Sequence, residues 1–426
     1  MATDDTEKTH SQVVRIVSDV GLLLVFLLLS LLAGRAGLAS LFSRYAALSN
    51  QLPAADLAVS LSRNDPDAHL IRGALFEAAG DLSRAVADYR DAALLRPNDY
   101  VLWLSLARAL ELNGDVPGGL VASSQAVQLA PFYAQPHWQF GNILIRAGQR
   151  DKGFRELSQA AASNPTLMPG IIDLAWHISN GNLQFVERSI NPHSPESYQA
   201  LGEYFRKRGE ATEAIAMFRA AGKAAQEARR AYLGQLISAR QFKDAYALWV
   251  VDHPPNSHNA PGAIIDSGFE QESDLDEPGF GWRKDNHAPS MKLSLDPANP
   301  KEGHSSAKVE FNGDSDPGSP ILSQLVLVEP SAHYQLRFAA RTEDLVSGGL
   351  PRLAIFEASD RRILGQPLLF PRNADMWSDF SIDFSSVKST TAIEITLDRE
   401  SCSKSPCPIF GHLWLDNFSL QKGRGN

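Results

Sequence analysis

The chain is expected to be multidomain: an all-α solenoid of helical repeats, then an all-β antiparallel sandwich, with one transmembrane helix at the N-terminus. Three observations carry this expectation. Glycines at Gly80, Gly114 and Gly148 stand 34 residues apart, with Pro97, Pro131 and Pro165, then Ala92, Ala126 and Ala160, in the same register. After about Val251 the apolar pattern changes from a helical period to alternation. Near the start, Val20 to Gly34 runs for 15 residues without a charge.

The apolar run comes first. At 1.5 Å per residue it spans roughly 22 Å, short of a ~30 Å hydrocarbon core unless the helix extends back through Val13, Val14, Ile16 and Val17. Arg15 and Asp19 then sit four apart at one end, spaced to pair. A cleaved signal peptide is the competing reading, with Gly37-Leu38-Ala39 as its cleavage site. A signal peptide wants a positive start, whereas here Asp4, Asp5, Glu7 and Asp19 oppose Lys8 and Arg15. An uncleaved anchor over 20–36, preceded by a tail over 1–19, is therefore the favoured assignment. Its flanking charges do not orient it, because Arg35 and Arg44 follow the span as Lys8 and Arg15 precede it.

The repeats occupy 50–251. Gly73, Ala107 and Gly141 form a small-residue column, and Phe76, Ala85 and Tyr89 add to the first unit, as Trp103 and Leu106 do to the second. These columns resemble the tetratricopeptide repeat family, in which small residues let two helices cross closely, a glycine ends the first helix and a proline stops the second. Gly119 and Ser123 in the second repeat, and Gly153 and Leu157 in the third, depart from the alanine and aromatic columns, so looser packing is expected there. The register degrades over Ile171–Ile178, returns at Tyr198, Leu201, Gly202, Phe205, Gly209, Ala214, Phe218 and Ala221, and ends in a helix pair around Leu233, Ala245 and Trp249. Ala54, Ala55 and Ala58 read as the second helix of an incomplete first unit. The resemblance implies a concave face that binds protein, and its first-helix positions carry over to Arg108 and Glu111, then Trp138, Asn142 and Arg146. Arginine and aromatic rings dominate interface hot spots, so these five are the candidate protein-binding groove. A packed Trp138 among solvated charges is the bland alternative.

A linker is expected over 252–262, where Asp252-His-Pro-Pro-Asn-Ser-His-Asn-Ala-Pro-Gly lacks any period and contains His253 and His258. A sandwich is expected over 263–422, with strands at Ala307–Phe311, Ile321–Val328, Tyr334–Ala339, Leu353–Phe356, Phe380–Phe384, Ala392–Leu397 and Leu413–Leu420. Its punctuation, Gly268-Phe269-Glu270, Gly279-Phe280-Gly281-Trp282, Gln324 to Pro330 with Tyr334, Trp377, and Leu413-Trp-Leu-Asp-Asn-Phe-Ser-Leu420, resembles the galactose-binding-like jelly rolls that include carbohydrate-binding modules. That resemblance implies pairing of first and last strands, which brings Glu270 and Asp416 within reach of a structural calcium ion. It also offers Trp282, Trp377, Trp414 and Tyr334 as rings for sugar stacking. Trp414 and Trp377 lie in or beside alternating strands and are expected to fill the interior. Trp282, following two glycines, is the expected glycan contact. Asn312, Asp314, Asp316 and Gly318 imitate a calcium loop, but the glycine falls late and no glutamate closes it, so a polar hairpin is the better reading.

Composition narrows the function. Of 426 residues, 40 are basic and 49 acidic, a net charge of −9, which disfavours nucleic acid as partner. Two cysteines exclude a four-cysteine metal site. Cys402 and Cys407 stand close together in a proline-containing loop and suit a local disulfide; a pair of free thiols is the alternative. A bond would require an oxidising compartment and so place the soluble part outside the cytoplasm, in the periplasm if the anchor lies in an inner membrane. No phosphate-binding loop, metalloprotease, hydrolase-elbow or dinucleotide motif occurs, and no catalytic residues are assigned. The chain therefore reads as a non-enzymatic, membrane-anchored scaffold of the cell envelope, binding a protein partner and, through the sandwich, a polysaccharide. The arrangement is similar to tetratricopeptide proteins associated with exopolysaccharide assembly or export. A glycan-active enzyme accessory and a structural factor without sugar affinity are its rivals. No cofactor is expected beyond the calcium.

Overall fold

The computed structural model describes residues 4–254, 261–271, 275–284, 291–314 and 317–423, with side chains from residue 20 onward except that of Asp314. His258, Asp316 and the side chains of Lys8, Arg15 and Asp19 lie outside these residues. Contacts divide the chain into two compact units, Met1–Pro192 and His193–Asn426, so the division falls within the helical region.

The first unit opens with α1 (Asp4–Ser49), followed by α2 (Leu52–Leu61), α3 (Pro66–Ala78), α4 (Leu82–Leu95), α5 (Tyr100–Leu112), α6 (Val116–Leu129), α7 (Ala134–Arg146), α8 (Arg150–Ser163), α9 (Met168–Ile178) and α10 (Leu183–Ile190). The three repeats read from the sequence are the pairs α3–α4, α5–α6 and α7–α8. Gly80, Gly114 and Gly148 have φ near +80°, the left-handed turn that ends each first helix. Aspartates cap helix N-termini in the same register. Asp65 and Asp99 accept from the amides of Asp67 and Val101, and Asp81 and Asp115 from those of Arg84 and Gly118.

The small-residue column is a contact between helices. A Cβ on Gly73 would come 3.0 Å from the Tyr89 ring. In the third repeat a Cβ on Gly141 would meet the Gly153 carbonyl at 2.8 Å, and one on Gly153 the Gly141 carbonyl at the same distance. Gly153 therefore does not loosen the pair, as its departure from the alanine column suggested; it lets the backbones of α7 and α8 meet. Gly119 acts similarly, since a Cβ there would lie 3.1 Å from the Ala107 carbonyl. Ser123 is a different case. It is fully buried in the aromatic column, and its hydroxyl has no hydrogen-bond partner.

A second column, absent from the sequence reading, closes the turn before each first helix. His69, Trp103 and His137, 34 residues apart, each place a ring nitrogen 2.8–2.9 Å from the carbonyl six residues upstream, those of Arg63, Pro97 and Pro131. The other nitrogen of each histidine faces a carboxylate, Asp88 at 2.9 Å and Glu156 at 2.7 Å. Carbonyl and carboxylate are both acceptors, so the His69 imidazole satisfies both only when doubly protonated. The hydrogen bond to Asp88 raises the His69 pKa against the opposing effect of burial. Burial opposes ionisation of Asp88, yet His69 and Arg72 hold it below its ordinary value.

The incomplete leading unit is also a helix pair. α2 buries Ala54, Ala55 and Ala58, and its partner is the end of α1 itself, which buries Ala39, Ser43 and Ala46. The apolar N-terminal helix thus continues without a break into the first packed pair.

The second unit begins with α11 (Pro195–Arg208), α12 (Ala211–Ala220), α13 (Gln226–Ser238) and α14 (Phe242–Asp252). In the first of these pairs Gly202 lies against Phe218, which a Cβ would approach to 2.7 Å, so the small-against-aromatic contact recurs. The strands β1 (Arg283–Lys284), β2 (Met291–Asp296), β3 (Ser306–Asp314), β4 (Leu322–Leu327), β5 (His333–Ser347), β6 (Pro351–Glu357), β7 (Leu368–Leu369), β8 (Ala374–Ser385), β9 (Ala392–Arg399) and β10 (Pro408–Lys422) follow. They form two antiparallel five-stranded sheets, ordered β1-β4-β9-β6-β7 and β2-β3-β10-β5-β8. All seven apolar runs read from the sequence are strands; β1, β2 and β7 are additional. The core between the sheets includes Val309, Phe311, Leu336, Phe338, Ile395 and Leu413. α14 packs on this part of the chain. Trp249 and Tyr246 contact Phe280, with ring centroids 5.9 and 5.1 Å away, and Gly279 leaves room for the Trp249 ring. His253 stacks on Trp249 at 4.3 Å and lies 3.3 Å from Glu277, so this histidine has packed partners.

Gly153→Ala is expected to destabilise the first unit by about 1–3 kcal/mol through overpacking. Ser123→Ala removes an unsatisfied buried hydroxyl and is expected to stabilise it by about 1 kcal/mol; urea melts of the two variants check both signs. The His69–Asp88 contribution, from a raised histidine and a depressed aspartate, is present between their titrations. It is lost as pH rises through the His69 value, above the ordinary 6.5, and as pH falls through the Asp88 value. In chemical denaturation across pH, His69→Gln should remove the alkaline part of that dependence.

Candidate functional site

Two surfaces carry the candidate residues. On the first unit, the five groove residues come from α5 and α7. Arg146 Nε and Nη2 donate to the two oxygens of Glu111 at 2.5 and 2.8 Å. Arg108 Nη1 lies 2.9 Å from Glu77 on α3, whose other oxygen accepts from the Tyr89 hydroxyl at 2.8 Å. Burial, then Glu77, push the Tyr89 phenol up, so this hydroxyl remains a donor. The result is a line of ion pairs across three successive first helices, Glu77 to Arg108 and Glu111 to Arg146. Glu77 and Glu111 are largely covered, whereas the Arg108 and Arg146 side chains are 54% and 58% exposed. Each carboxylate fixes one side of a guanidinium and leaves other donors open to a partner. Trp138 is half-buried, and the Asn142 amide is turned onto the Trp138 carbonyl at 2.7 Å, which leaves its oxygen as the free polar end. Glu77 was not among the residues read from the sequence. It lies in the preceding repeat, and the stacking of first helices brings it to Arg108.

On the sandwich, two expectations about tryptophans are reversed. Trp282, expected as the glycan contact, is 2% exposed and lies in the core against Phe269 and Phe418, with ring centroids 5.1 and 5.0 Å away. Its Nε1 donates to the Asp266 carbonyl at 3.2 Å, so no face is free for a sugar. Trp414, expected in the interior, lies on the opposite side of β10 from Leu413 and Leu415, which are core residues. It is nevertheless 3% exposed, because cations cover it: Arg341 is 3.9 Å and Lys308 5.2 Å from its ring centroid. Trp414 Nε1 donates to Asp296 at 2.7 Å. Burial works against ionisation of Asp296, but that bond, the Ala298 amide, Lys308 and Arg341 hold it below the ordinary carboxylate value. Arg341 also approaches Trp377, at 5.8 Å; this ring is half-buried and donates to the Asn299 carbonyl at 3.0 Å. Tyr334 is buried on Phe384, with its hydroxyl accepting from Glu329. The outer face of the second sheet therefore presents Trp377, Arg341, Lys308, His412 and Phe410, the last 49% exposed.

Glu270 and Asp416 do converge. Both accept from one loop: Asp416 Oδ2 from the amides of Lys301 and Glu302 at 2.8 and 3.2 Å, and Glu270 from that of His304 at 2.9–3.0 Å. Ser305 donates to the Phe269 carbonyl beside them. Asp416 is fully buried, and burial, with Glu270 adding, raises its pKa above the ordinary value despite three backbone amides. Its partners are amides and a second carboxylate rather than a basic side chain. A buried carboxylate with no basic partner, beside the exposed carboxylate of Glu270, suits a hard cation, which Glu270 and Asp416 would hold. By contrast, Asn312 and Asp314 lie in the extended ladder between β3 and β10, where the backbone does not wrap an ion.

Cys402 and Cys407 are disulfide-bonded, with Cα atoms 5.6 Å apart. The loop they close is held by Arg399, a buried guanidinium that donates to the Cys407 carbonyl and the Ser347 hydroxyl at 2.9 and 2.8 Å.

No protein-family model matches the chain, and no curated protein matches it. Among solved structures, a MamA fragment from Desulfovibrio magneticus RS-1 is similar at 18% identity and a TM-score of 0.30, over 44% of this chain and 93% of its own. YrrB, described as a tetratricopeptide protein with an unusual peptide-binding site, matches at 17% and 0.31, over 37% of this chain and 84% of its own. The CBM22-1 xylan-binding domain of Paenibacillus barcinonensis Xyn10C matches at 10% and 0.26, over 38% of this chain and 94% of its own. At these scores the likenesses carry no functional argument.

Proposed function

We propose that this chain is a non-enzymatic scaffold of the bacterial cell envelope, anchored by α1, with its soluble part in the periplasm and a protein partner bound on the first helices of the repeats. The observation that carries the partner-binding reading is the line from Glu77 through Arg108 and Glu111 to Arg146. Its carboxylates are covered and its guanidiniums are exposed, already oriented by their neighbours, so little side-chain freedom is lost on binding. The partner segment that suits it is extended and presents carboxylates or backbone carbonyls. The anchor reading is supported by the hydropathy of Val20–Ser49, averaging 2.2 over its most apolar window, by the 6% burial of that window, and by the helix running on without a break into the first packed pair. The Cys402–Cys407 pair supports an oxidising compartment. Exopolysaccharide assembly or export is the setting that the domain arrangement suggests.

A glycan is the second ligand we propose, on the outer face of β2-β3-β10-β5-β8, with Trp377 and Phe410 as apolar contacts and Arg341 and His412 as donors. Trp282 takes no part in it. A calcium ion held by Glu270 and Asp416 would fasten the segment entering the sandwich to its last strand.

Arg108→Glu with Arg146→Glu should abolish co-purification of one dominant protein with the full chain extracted from membranes, at unchanged far-ultraviolet circular dichroism. Recovery of the same protein with that double variant would sink the groove assignment. For the sandwich, calcium should raise the melting temperature of the full chain in detergent and EDTA lower it, with Asp416→Asn insensitive to both. On a glycan array, Trp377→Ala should lose signal while calcium-dependent stability persists; an array blank for the wild-type chain removes the glycan.

A further inference from the structure

The end of α1 has two faces. Ala39, Ser43 and Ala46 are buried, and Phe42 packs with Ala46 against α2. On another side of the same helix, Leu38, Leu41, Tyr45 and Leu48 are 50–87% exposed. Their spacing, three, four, three, is the a and d positions of a heptad, the repeat that keeps an apolar seam facing a partner helix. Counting back in the same register reaches Gly34, Leu31 and Leu27 in the apolar run, so one seam passes from that run into the soluble part without a shift of phase.

Lipid does not suit the upper half of this seam. Leu48 stands 14 residues beyond Gly34, about 21 Å along the helix axis, whereas the headgroup layer adds only about 5–8 Å on each side of the hydrocarbon. At the same level the other face of α1 is packed by α2 and α3, and the exposed Asp56 on α2, Arg63 in the turn between them and Asp67 on α3 require water. A second α1 suits it well. Copies sharing a membrane through this helix enter it with the same polarity, so each a and d residue meets its own counterpart in a two-fold pair. The flanking positions agree. In a parallel pair a g residue faces the e residue of the next heptad: Arg44 faces Ser49 and Ser30 faces Arg35, so no like charges meet.

We infer that α1 pairs with α1 of a second copy as a parallel, left-handed helix pair along Leu38, Leu41, Tyr45 and Leu48, making the scaffold a dimer with two repeat faces. The parallel arrangement rests on the anchor proposed above. The test uses the full chain in native membranes with single substitutions Leu38→Cys, Leu41→Cys, Tyr45→Cys and Leu48→Cys, and Ser40→Cys and Ala47→Cys as exposed positions off the seam; Cys402 and Cys407 are occupied with each other. Oxidation should give a disulfide-linked dimer at the four seam positions, lost at Ser40→Cys and Ala47→Cys. A chain that stays in carbonate-washed membranes without this periodic pattern overturns the pairing and leaves the anchor standing. A chain released by the wash fails the anchor, and the pairing then stands or falls on the same crosslinks. Crosslinks at the seam to a different protein overturn it. Leu41→Asp with Leu48→Asp should run as a monomer in detergent with helicity unchanged, and persistence of the dimer in that variant would also refute the seam.

Discussion

Helix pairs in this protein cross where a glycine or alanine lies against backbone or an aromatic ring, and the solenoid is built on that contact. At Gly141 and Gly153 the two backbones meet directly, at Gly73 and Gly202 a ring fills the space, and a single added carbon would intrude at each site. A fixed crossing fixes the distance between successive first helices. That distance decides whether Glu77 reaches Arg108 and whether Glu111 reaches Arg146. The line of ion pairs is thus a consequence of the buried packing between helices.

The sandwich is organised by the parity of β10. Leu413 and Leu415 enter the core, which sends Trp414 to the outer face, and a face that would otherwise expose an indole covers it with Arg341 and Lys308. The glycines before Trp282 have the opposite effect. They let an irregular segment turn its ring inward onto Phe269 and Phe418, where an indole buries about 150–250 Å². The direction of the ring followed the strand alternation in one case and the tertiary path in the other.

Much of the architecture was legible because it is periodic. The 34-residue columns locate three helix pairs, and the seven alternating runs locate seven strands. The glycine turns needed no neighbours to be recognised. Less legible were features made by residues with no period of their own. β1 and β7 are two residues long. The ring-nitrogen column at His69, Trp103 and His137 is periodic but mixes two residue types, which conceals it. The packing role of Gly119 and Gly153 was misjudged because a column scored for alanine says nothing of how closely its partner helix approaches.

By itself the sequence determined the order of the parts, an apolar helix, helical repeats and a β-sandwich, since local period and turn chemistry act over a few residues. It also brought Glu270 and Asp416 into consideration together, though only through resemblance. Only the tertiary structure decided which tryptophan is core and which is capped by cations, which glutamate supports Arg108, and that α1 continues into the first packed pair. Those are matters of distance between segments far apart in the chain, set by how closely backbones approach.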